Sequence, residues 1–444
     1  MVNELRQLLS DNVASPPHDE LDLGAVLAGG RRRVRRRRLA VLGGTAVATA
    51  AIVATASLMW LDPGPPDLAA AGIPHPDAPT LRLADAVAAV EGTDYRVLAS
   101  HTNENLNRDN GQYFDGVTDD GLILFRDGPR MDQLWPRFAL MDPATGDKEW
   151  LPDLDIGQAQ TWPLQLGEDR LLLLTAEGGM EVELVVHVFD RERRQWSTMT
   201  WPGLPAVDNP FGVMAGPDDR LYVRVPATQG QPPEGGWPTD ASGEADDADA
   251  EGDTYRLWSA SLTDPSDVRD EGLTVGSLAF TDHSMVWTDS TNGEAGQVHV
   301  RDLGTGEEHA FDPHSGEKCN LLSFGATDDR IVMGQYCGTY DGGVRDDRVQ
   351  VLDPDGDQVV TLQGSGLDGG LASERGDGVV TVTSYEPGGD GTYVYDLGAR
   401  RFLRISDSVS SWGSSGPVLE GQFLWNTPEN RRRGMTEHLG ELID

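Results

Sequence analysis

The amino-acid sequence predicts an all-β fold, a β-propeller of about seven blades, preceded by a single N-terminal transmembrane helix. Three observations support this prediction. Residues 39–61 carry no charge. From Tyr95 onward, short runs of Val, Ile, Leu, Tyr and Trp alternate with Gly, Asp, Asn and Pro, which is typical of many short antiparallel strands. In that region an apolar strand leading into an acidic turn recurs six times, and such repetition indicates an array of similar units.

The N-terminal part of the chain predicts a membrane anchor. Residues 31–38 contain seven arginines, and the uncharged residues 39–61 follow at once. A helix of that length measures roughly 35 Å and spans a hydrocarbon core of about 30 Å. Basic residues that flank such a helix stay on the cytoplasmic side. We therefore expect residues 1–38 to form a short cytoplasmic tail and residues 62–444 to lie outside the cell membrane.

Two alternatives for this region stay open. Ala54, Thr55 and Ala56 fit the small-residue rule for signal-peptide cleavage, although the 38-residue leader and the apolar run are both long for a signal peptide. The tail could also dock a cytoplasmic regulator, in which case the protein would signal across the membrane. Thirty residues cannot bury a core of their own, so we expect a leader or docking peptide rather than a folded domain.

Charge is distributed unevenly along the chain. The 444 residues carry a formal net charge of −38, and residues 1–38 hold eight arginines against five acidic residues. Beyond residue 38 there remain 27 basic and 68 acidic residues, a net charge of −41. Such a domain repels nucleic acid and anionic lipid headgroups, which excludes both as expected ligands of the exterior part.

Residues 62–94 predict a spacer between the membrane and the exterior domain. Six prolines lie between residues 62 and 80, and proline-rich segments are stiff and extended. Residues 81–90 (LRLADAVAAV) predict a single short helix, because their apolar residues recur at helical spacing.

Residues 95–444 contain two kinds of repeated strand. One kind ends in an acidic turn, at Asp142, Asp190, Asp264, Asp302, Asp353 and Asp396. The other lies upstream of each, at residues 121–125, 170–174, 220–225, 284–287, 330–333, 378–382 and 421–425. Seven units average about 47 residues, near the period of a propeller blade. A ring of such sheets leaves only short edges, which favours a propeller over two β-sandwiches. The last unit lacks a strand, and residues 95–100 are predicted to complete it.

Cys319 and Cys337 are the two cysteines of the chain, and both lie in the part predicted to be exterior. The segment between them reads as a hairpin that turns near Asp328. Both cysteines are nine residues from that turn, so they face each other across the two strands, at a Cα spacing that suits a disulfide. We predict a Cys319–Cys337 bridge in an oxidising compartment; two free thiols are the alternative.

Residues 138–150 (FALMDPATGDKEW) resemble the strand–turn–strand repeat of WD-repeat-like and quinoprotein-like propellers, and residues 298–311 repeat it more weakly. Together with the arginine-flanked apolar segment, the chain resembles actinobacterial-type membrane-anchored β-propeller proteins. The resemblance implies the fold and no particular reaction. Quinoprotein dehydrogenases use adjacent cysteines, and Cys319 and Cys337 are not adjacent, so the resemblance does not extend to their cofactor.

The sequence contains no G-x-S-x-G, H-E-x-x-H, C-x-x-C or P-loop pattern. We therefore predict no catalytic, cofactor-binding or metal-binding residues, and no cofactor. The function that fits is a membrane-tethered, extracytoplasmic module that binds or scaffolds a protein, peptide or envelope glycan. The alternatives are the signalling protein described above and a hydrolase or lyase whose carboxylates meet in the central channel of the ring. Loops at the faces of the ring, including the acidic stretch 226–253, are expected to contribute more to recognition than the strands.

Overall fold

The structure is a computed structural model of the chain. It describes residues 78–104, 111–128, 135–156, 161–178, 182–207, 212–230, 252–291, 296–314, 319–339, 345–371, 378–386, 388–410, 416–429 and 434–443. The predicted tail, the predicted membrane helix and residues 62–77 of the predicted spacer lie outside these ranges. Within the ranges, no helix has the length and apolarity needed to cross a membrane.

The described residues form seven small sheets. Three strands come first in the chain: β1 (Thr80–Arg82), β2 (Val87–Ala88) and β3 (Tyr95–Thr102). Blade 1 contains β4 (Gln112–Val117), β5 (Ile123–Asp127), β6 (Arg137–Met141) and β7 (Lys148–Trp150). Blade 2 contains β8 (Thr161–Leu166), β9 (Arg170–Gly178), β10 (Val182–Asp190) and β11 (Gln195–Met199). Blade 3 contains β12 (Val213–Ala215), β13 (Arg220–Thr228), β14 (Thr254–Ser261) and β15 (Val268–Val275).

The remaining four blades continue the pattern. Blade 4 contains β16 (Leu278–Phe280), β17 (Ser284–Thr288), β18 (Val298–Asp302) and β19 (Glu308–Phe311). Blade 5 contains β20 (Asn320–Ala326), β21 (Ile331–Thr339), β22 (Arg345–Leu352) and β23 (Gln358–Gly364). Blade 6 contains β24 (Leu367–Leu371), β25 (Val379–Ser384), β26 (Gly391–Asp396) and β27 (Arg401–Arg404). Blade 7 contains β28 (Gln422–Pro428), β29 (Met435–Leu442) and, from the start of the chain, β3.

Seven clusters of buried apolar side chains join each blade to the next, and the seventh closes the circle. For example, Phe189 of blade 2 packs with Phe138 of blade 1. At the closure, Leu439 of blade 7 packs with Phe114 and Phe125 of blade 1. Every blade contributes to two clusters. The fold is therefore a seven-bladed β-propeller, which confirms the predicted fold class of this part of the chain.

The two repeated strands seen in the sequence have fixed places in each blade. In blades 1 to 6, the upstream strand is the second strand of its blade, and the strand that leads to the acidic turn is the third. The turn aspartates accept backbone hydrogen bonds: the Asp302 carboxylate accepts from the N–H groups of Gly304 and Thr305, at 2.9 and 2.6 Å. A short side chain that satisfies turn amides explains why Asp recurs at this position. The first and fourth strands have no comparable signature in the sequence.

β3 closes the ring as the sequence predicted. It pairs antiparallel with β29, with Ser100 opposite His438 and Tyr95 opposite Leu442. The outer strand of the last blade thus comes from the N-terminal end of the domain, so the two ends of the domain are joined by a sheet. On the inner side, the Val117 N–H of blade 1 donates to the Pro417 carbonyl, at 2.7 Å.

The predicted helix over residues 81–90 is wrong. Residues 80–94 form a strap, the name used below, that crosses the outer edges of blades 5 and 6. β1 pairs parallel with β23, and β2 pairs parallel with β27; only Leu83–Asp85 form a single 3-10 turn. Leu81 and Leu83 pack against the cluster between blades 5 and 6. The outer sheet edges offer unpaired backbone groups, and pairing with them replaces the helix that the apolar spacing indicated.

Cys319 and Cys337 meet in blade 5, where their Cα atoms lie 4.0 Å apart and their sulfur atoms are bonded. The hairpin register passes from Ala326 opposite Ile331 to Asn320 opposite Tyr336 through a shift between Leu321 and Ser323. The extra residue is Leu322, which is 52% exposed. Without this bulge the register of the turn would place Cys319 one residue away from Cys337. The structure confirms that the pair can form a disulfide.

We predict that the double substitution Cys319→Ala and Cys337→Ala lowers the free energy of unfolding by roughly 3 kcal/mol, because the bridge closes a loop across a sequence separation of 18 residues. Urea unfolding followed by tryptophan fluorescence measures the change. The reduced natural chain is the matched control, and its unfolding should have the same urea midpoint as that of the variant. Identical midpoints for the oxidised natural chain and the variant would contradict the prediction.

A candidate binding cleft between blades 6 and 7

The two faces of the ring differ. Because the strands of a blade are antiparallel, the first and third connections of each blade lie on one face, here the turn face. The second connections and the links between blades lie on the other, here the loop face. On the turn face, Arg191 of blade 2 bonds Asp120 of blade 1, at 2.7 Å. The end of β13 and the start of β14, which flank residues 229–253, lie on the loop face.

The centre of the ring holds a small apolar cavity of about 140 Å³. It is bounded by the first strands of blades 3 to 6, with Met214, Phe280, Phe324 and Leu371 among its lining residues and no carboxylate. Asp115, on the first strand of blade 1, is buried and bonded to Arg126, at 2.7 Å. Burial raises the pKa of Asp115, and Arg126 opposes that shift. The lining of this cavity does not supply the two carboxylates that the hydrolase alternative requires.

A larger cleft, of about 680 Å³, opens between the outer halves of blades 6 and 7. Its floor is one row of side chains across blade 7, because Ser100 of β3 lies opposite His438 of β29, which lies opposite Trp425 of β28. The imidazole of His438 stacks on the Trp425 indole with centroids 4.6 Å apart. Neighbouring blades pack closely near the channel and diverge outward, so the cleft forms on the rim of the apolar cluster that contains Tyr95 and Trp425.

Two hydroxyl groups fix the His438 ring. Its Nδ1 atom is 2.8 Å from Ser100 Oγ, and its Nε2 atom is 3.1 Å from Thr427 Oγ1. Burial lowers the pKa of His438 to about 4, and the charge of Glu429 opposes this shift. The imidazole is therefore neutral at pH 7, where one ring nitrogen donates and the other accepts.

The walls of the cleft carry charge. Ala88, Ala89 and Glu91 of the strap line the cleft, together with Arg404 at the end of β27 and Asp407 just after it. Strap and β27 are neighbours here, because Ala88 pairs with Arg404. The Arg404 guanidinium donates to the backbone carbonyls of Asp390 and Ser406, at 2.7 and 3.3 Å.

Glu91 and Asp407 are both exposed. Among the described residues, neither carboxylate has a hydrogen-bonding or ionic side-chain partner. The cleft thus combines an apolar floor, neutral hydroxyl and imidazole groups, and two accessible carboxylates.

The Ser100–His438 pair lacks two features of an acyl-transfer site. A Ser–His pair performs acyl transfer when the imidazole has a pKa near the working pH and can accept the hydroxyl proton. The His438 pKa of about 4 lies far below that range, and its second nitrogen faces Thr427 rather than a carboxylate. Clefts of several hundred cubic ångströms with a few convergent polar groups are the usual form of ligand sites.

The sequence identified the fold but not this cleft. The predicted disulfide residues lie in blade 5, which does not line it. Of the strand histidines, His187 is buried beside Thr175, and His299 stacks on Trp287 with centroids 4.9 Å apart. Within the described ranges, no group of three or more His, Cys, Asp or Glu could hold a metal ion. Ser100 and His438 are 338 residues apart, and no local signal in the sequence pairs them.

No protein-family model and no curated protein matches the chain. Solved structures resemble it at low identity. The β-propeller domain of the Trilobed protease from Pyrococcus furiosus is 13% identical with a TM-score of 0.45, covering 75% of this chain and 98% of that one. A prolyl endopeptidase is 14% identical with a TM-score of 0.43, and the match covers 76% of this chain and 46% of that one. Acylaminoacyl peptidase is 11% identical with a TM-score of 0.45, and the match covers 77% of this chain and 54% of that one.

The chain therefore spans about half the length of these two peptidases. At such identities the likeness does not carry an activity to this chain.

We predict that the imidazole of His438 titrates with a midpoint near 4. The unfolded chain has the ordinary histidine pKa of about 6.5, so between these values the unfolded state binds more protons. This group therefore destabilises the fold as pH falls from 6.5 to 4. NMR titration of histidine ring protons measures the midpoint, and His438→Gln assigns the resonance. A midpoint near 6.5 would show that the floor of the cleft is hydrated and would contradict the prediction.

Proposed function

We propose that this chain is a membrane-tethered, extracytoplasmic β-propeller that binds a protein, peptide or envelope glycan without transforming it. The cleft between blades 6 and 7 is the observation that carries the proposal, since it joins an apolar floor to accessible polar groups. Ser406 and Asp407, which line the cleft, lie at the start of the connection from blade 6 to blade 7. That connection is on the loop face, so the cleft opens beside the loop face. Cleft and loops can therefore contact one ligand together.

The tether and its direction rest on the sequence. Seven arginines in residues 31–38 precede the uncharged residues 39–61, and this asymmetry predicts a cytoplasmic N-terminus and an exterior propeller. An exterior location also fits a cysteine pair that is able to form a disulfide. The anchor would supply location, and the propeller would supply recognition.

The recognition half of the proposal is tested by blocking the cleft. Ala88→Trp places a large side chain on its wall, and Ala144→Trp, at an exposed position in the turn between β6 and β7, is the matched control. We expect Ala88→Trp to weaken binding of the detergent-solubilised chain to an envelope fraction by at least about tenfold, which corresponds to 1.4 kcal/mol. Ala144→Trp should bind like the natural chain. Equal binding by both variants would rule out the cleft as the recognition site.

The tether half is tested in intact cells. We expect an N-terminal tag to stay with alkali-washed membranes and to resist external protease, whereas the propeller is digested, because the arginine run holds the N-terminus inside. Immunoblotting with antibodies to each end measures this. A mature protein that starts near Ser57 in the medium would support the cleaved signal peptide instead.

A further inference from the structure

We propose that the cleft between blades 6 and 7 binds an extended, lysine- or arginine-bearing peptide segment of a partner protein. This inference rests on the proposed function and names the chemistry of the partner. It follows from the charge of the cleft, from the accessible edge of the strap and from the size of the cavity.

Charge favours a cationic ligand. Glu91 and Asp407 both line the cleft, both are exposed, and each can pair with a basic side chain. His438 is neutral above pH 5, so it adds no opposing charge. Arg404 is the one basic residue among the described residues that line the cleft, and two backbone carbonyls already hold its guanidinium. The net charge of −41 beyond residue 38 further attracts cations and repels anionic ligands.

The apolar floor suits the rest of a basic side chain. Lysine and arginine bury their aliphatic stems on apolar surface while the charged group stays at the rim. Val97, Ile405 and Trp425 line the cleft and supply such a surface.

The strap wall suits a polypeptide backbone. β2 pairs with β27 along one edge only, and both of its residues, Val87 and Ala88, are exposed. Ala88 and Ala89 have small side chains, so a second backbone can approach closely. An extended peptide commonly binds by adding to such an edge. A volume of about 680 Å³ accommodates several residues rather than a single amine.

The test measures fluorescence anisotropy of three labelled nonapeptides with the full-length chain in neutral detergent. The peptides share a Gly–Ser frame and carry three Lys, three Gln or three Glu residues. We expect the Lys peptide to bind at least about tenfold more tightly than the Gln peptide, and the Glu peptide not to bind. Affinity for the Lys peptide should fall as salt is raised from 50 to 300 mM, because exposed charges are screened over about 10 Å at 0.1 M.

Two double variants separate local pairing from general attraction. Glu91→Gln with Asp407→Asn removes the carboxylates of the cleft. Asp328→Asn with Asp329→Asn makes the same change of charge at two exposed positions in the turn between β20 and β21. We expect the first to weaken binding of the Lys peptide about fivefold, since exposed ion pairs are individually weak, and the second to leave it unchanged. Equal losses in both variants would overturn the proposal.

The remaining outcomes separate this inference from the function on which it rests. If Ala88→Trp abolishes binding to the envelope fraction while no Lys peptide binds, the inference is wrong and the binding function stands. If a neutral oligosaccharide binds in the cleft and displaces the envelope ligand, the site recognises a glycan, which also overturns the inference. If substitutions in the cleft change neither the binding of the peptides nor the binding of the envelope fraction, both proposals fail.

Discussion

The structure depends on apolar packing between the faces of neighbouring blades. A four-stranded sheet that is apolar on both faces cannot be stable alone, because each face must leave water. Here each blade buries both faces against its neighbours, through seven clusters that link blade 1 to blade 7 and back. A ring is the arrangement in which no blade is left with an open face. The other features described above are consequences of this closure.

Closure explains why the cleft lies between blades 6 and 7. Blade 7 takes its outer strand from the start of the domain, so the chain must reach it from blade 6 across the outside of the ring. Residues 89–94 make that crossing between β2 and β3. The strap therefore lines the cleft where it passes from blade 6 to blade 7. The same constraint brings Ser100 against His438.

The turn face and the loop face distribute charge and chain differently. Carboxylates in the tight turns accept backbone hydrogen bonds or join adjacent blades, as Asp302 and Asp120 do. Their recurrence reflects turn geometry more than recognition. Glu91 and Asp407 differ, because they border a concave surface and lack hydrogen-bonding or ionic side-chain partners among the described residues. In so acidic a chain, the position of a carboxylate carries more information than its presence.

The sequence alone determined the strand class, the approximate number of blades, the second and third strands of blades 1 to 6 and the pairing of β3 with the end of the chain. The strands follow from local alternation and from a turn that requires Asp, and both are written in neighbouring residues. The pairing of β3 follows from the last unit, which lacks a strand that residues 95–100 supply. The pairing of Cys319 with Cys337 was also predicted, although the bulge at Leu322 that aligns them was not.

Only the tertiary structure decided the strap and the cleft. The apolar spacing of residues 81–90 favoured a helix, and the unpaired edges of blades 5 and 6 turned the segment into two short strands. Such edges exist only after the blades have formed, so no local pattern encodes them. The contact of Ser100 with His438 and the lowered pKa of that histidine likewise depend on burial between residues 338 positions apart. Long-range burial sets this chemistry, and a sequence read one segment at a time does not contain it.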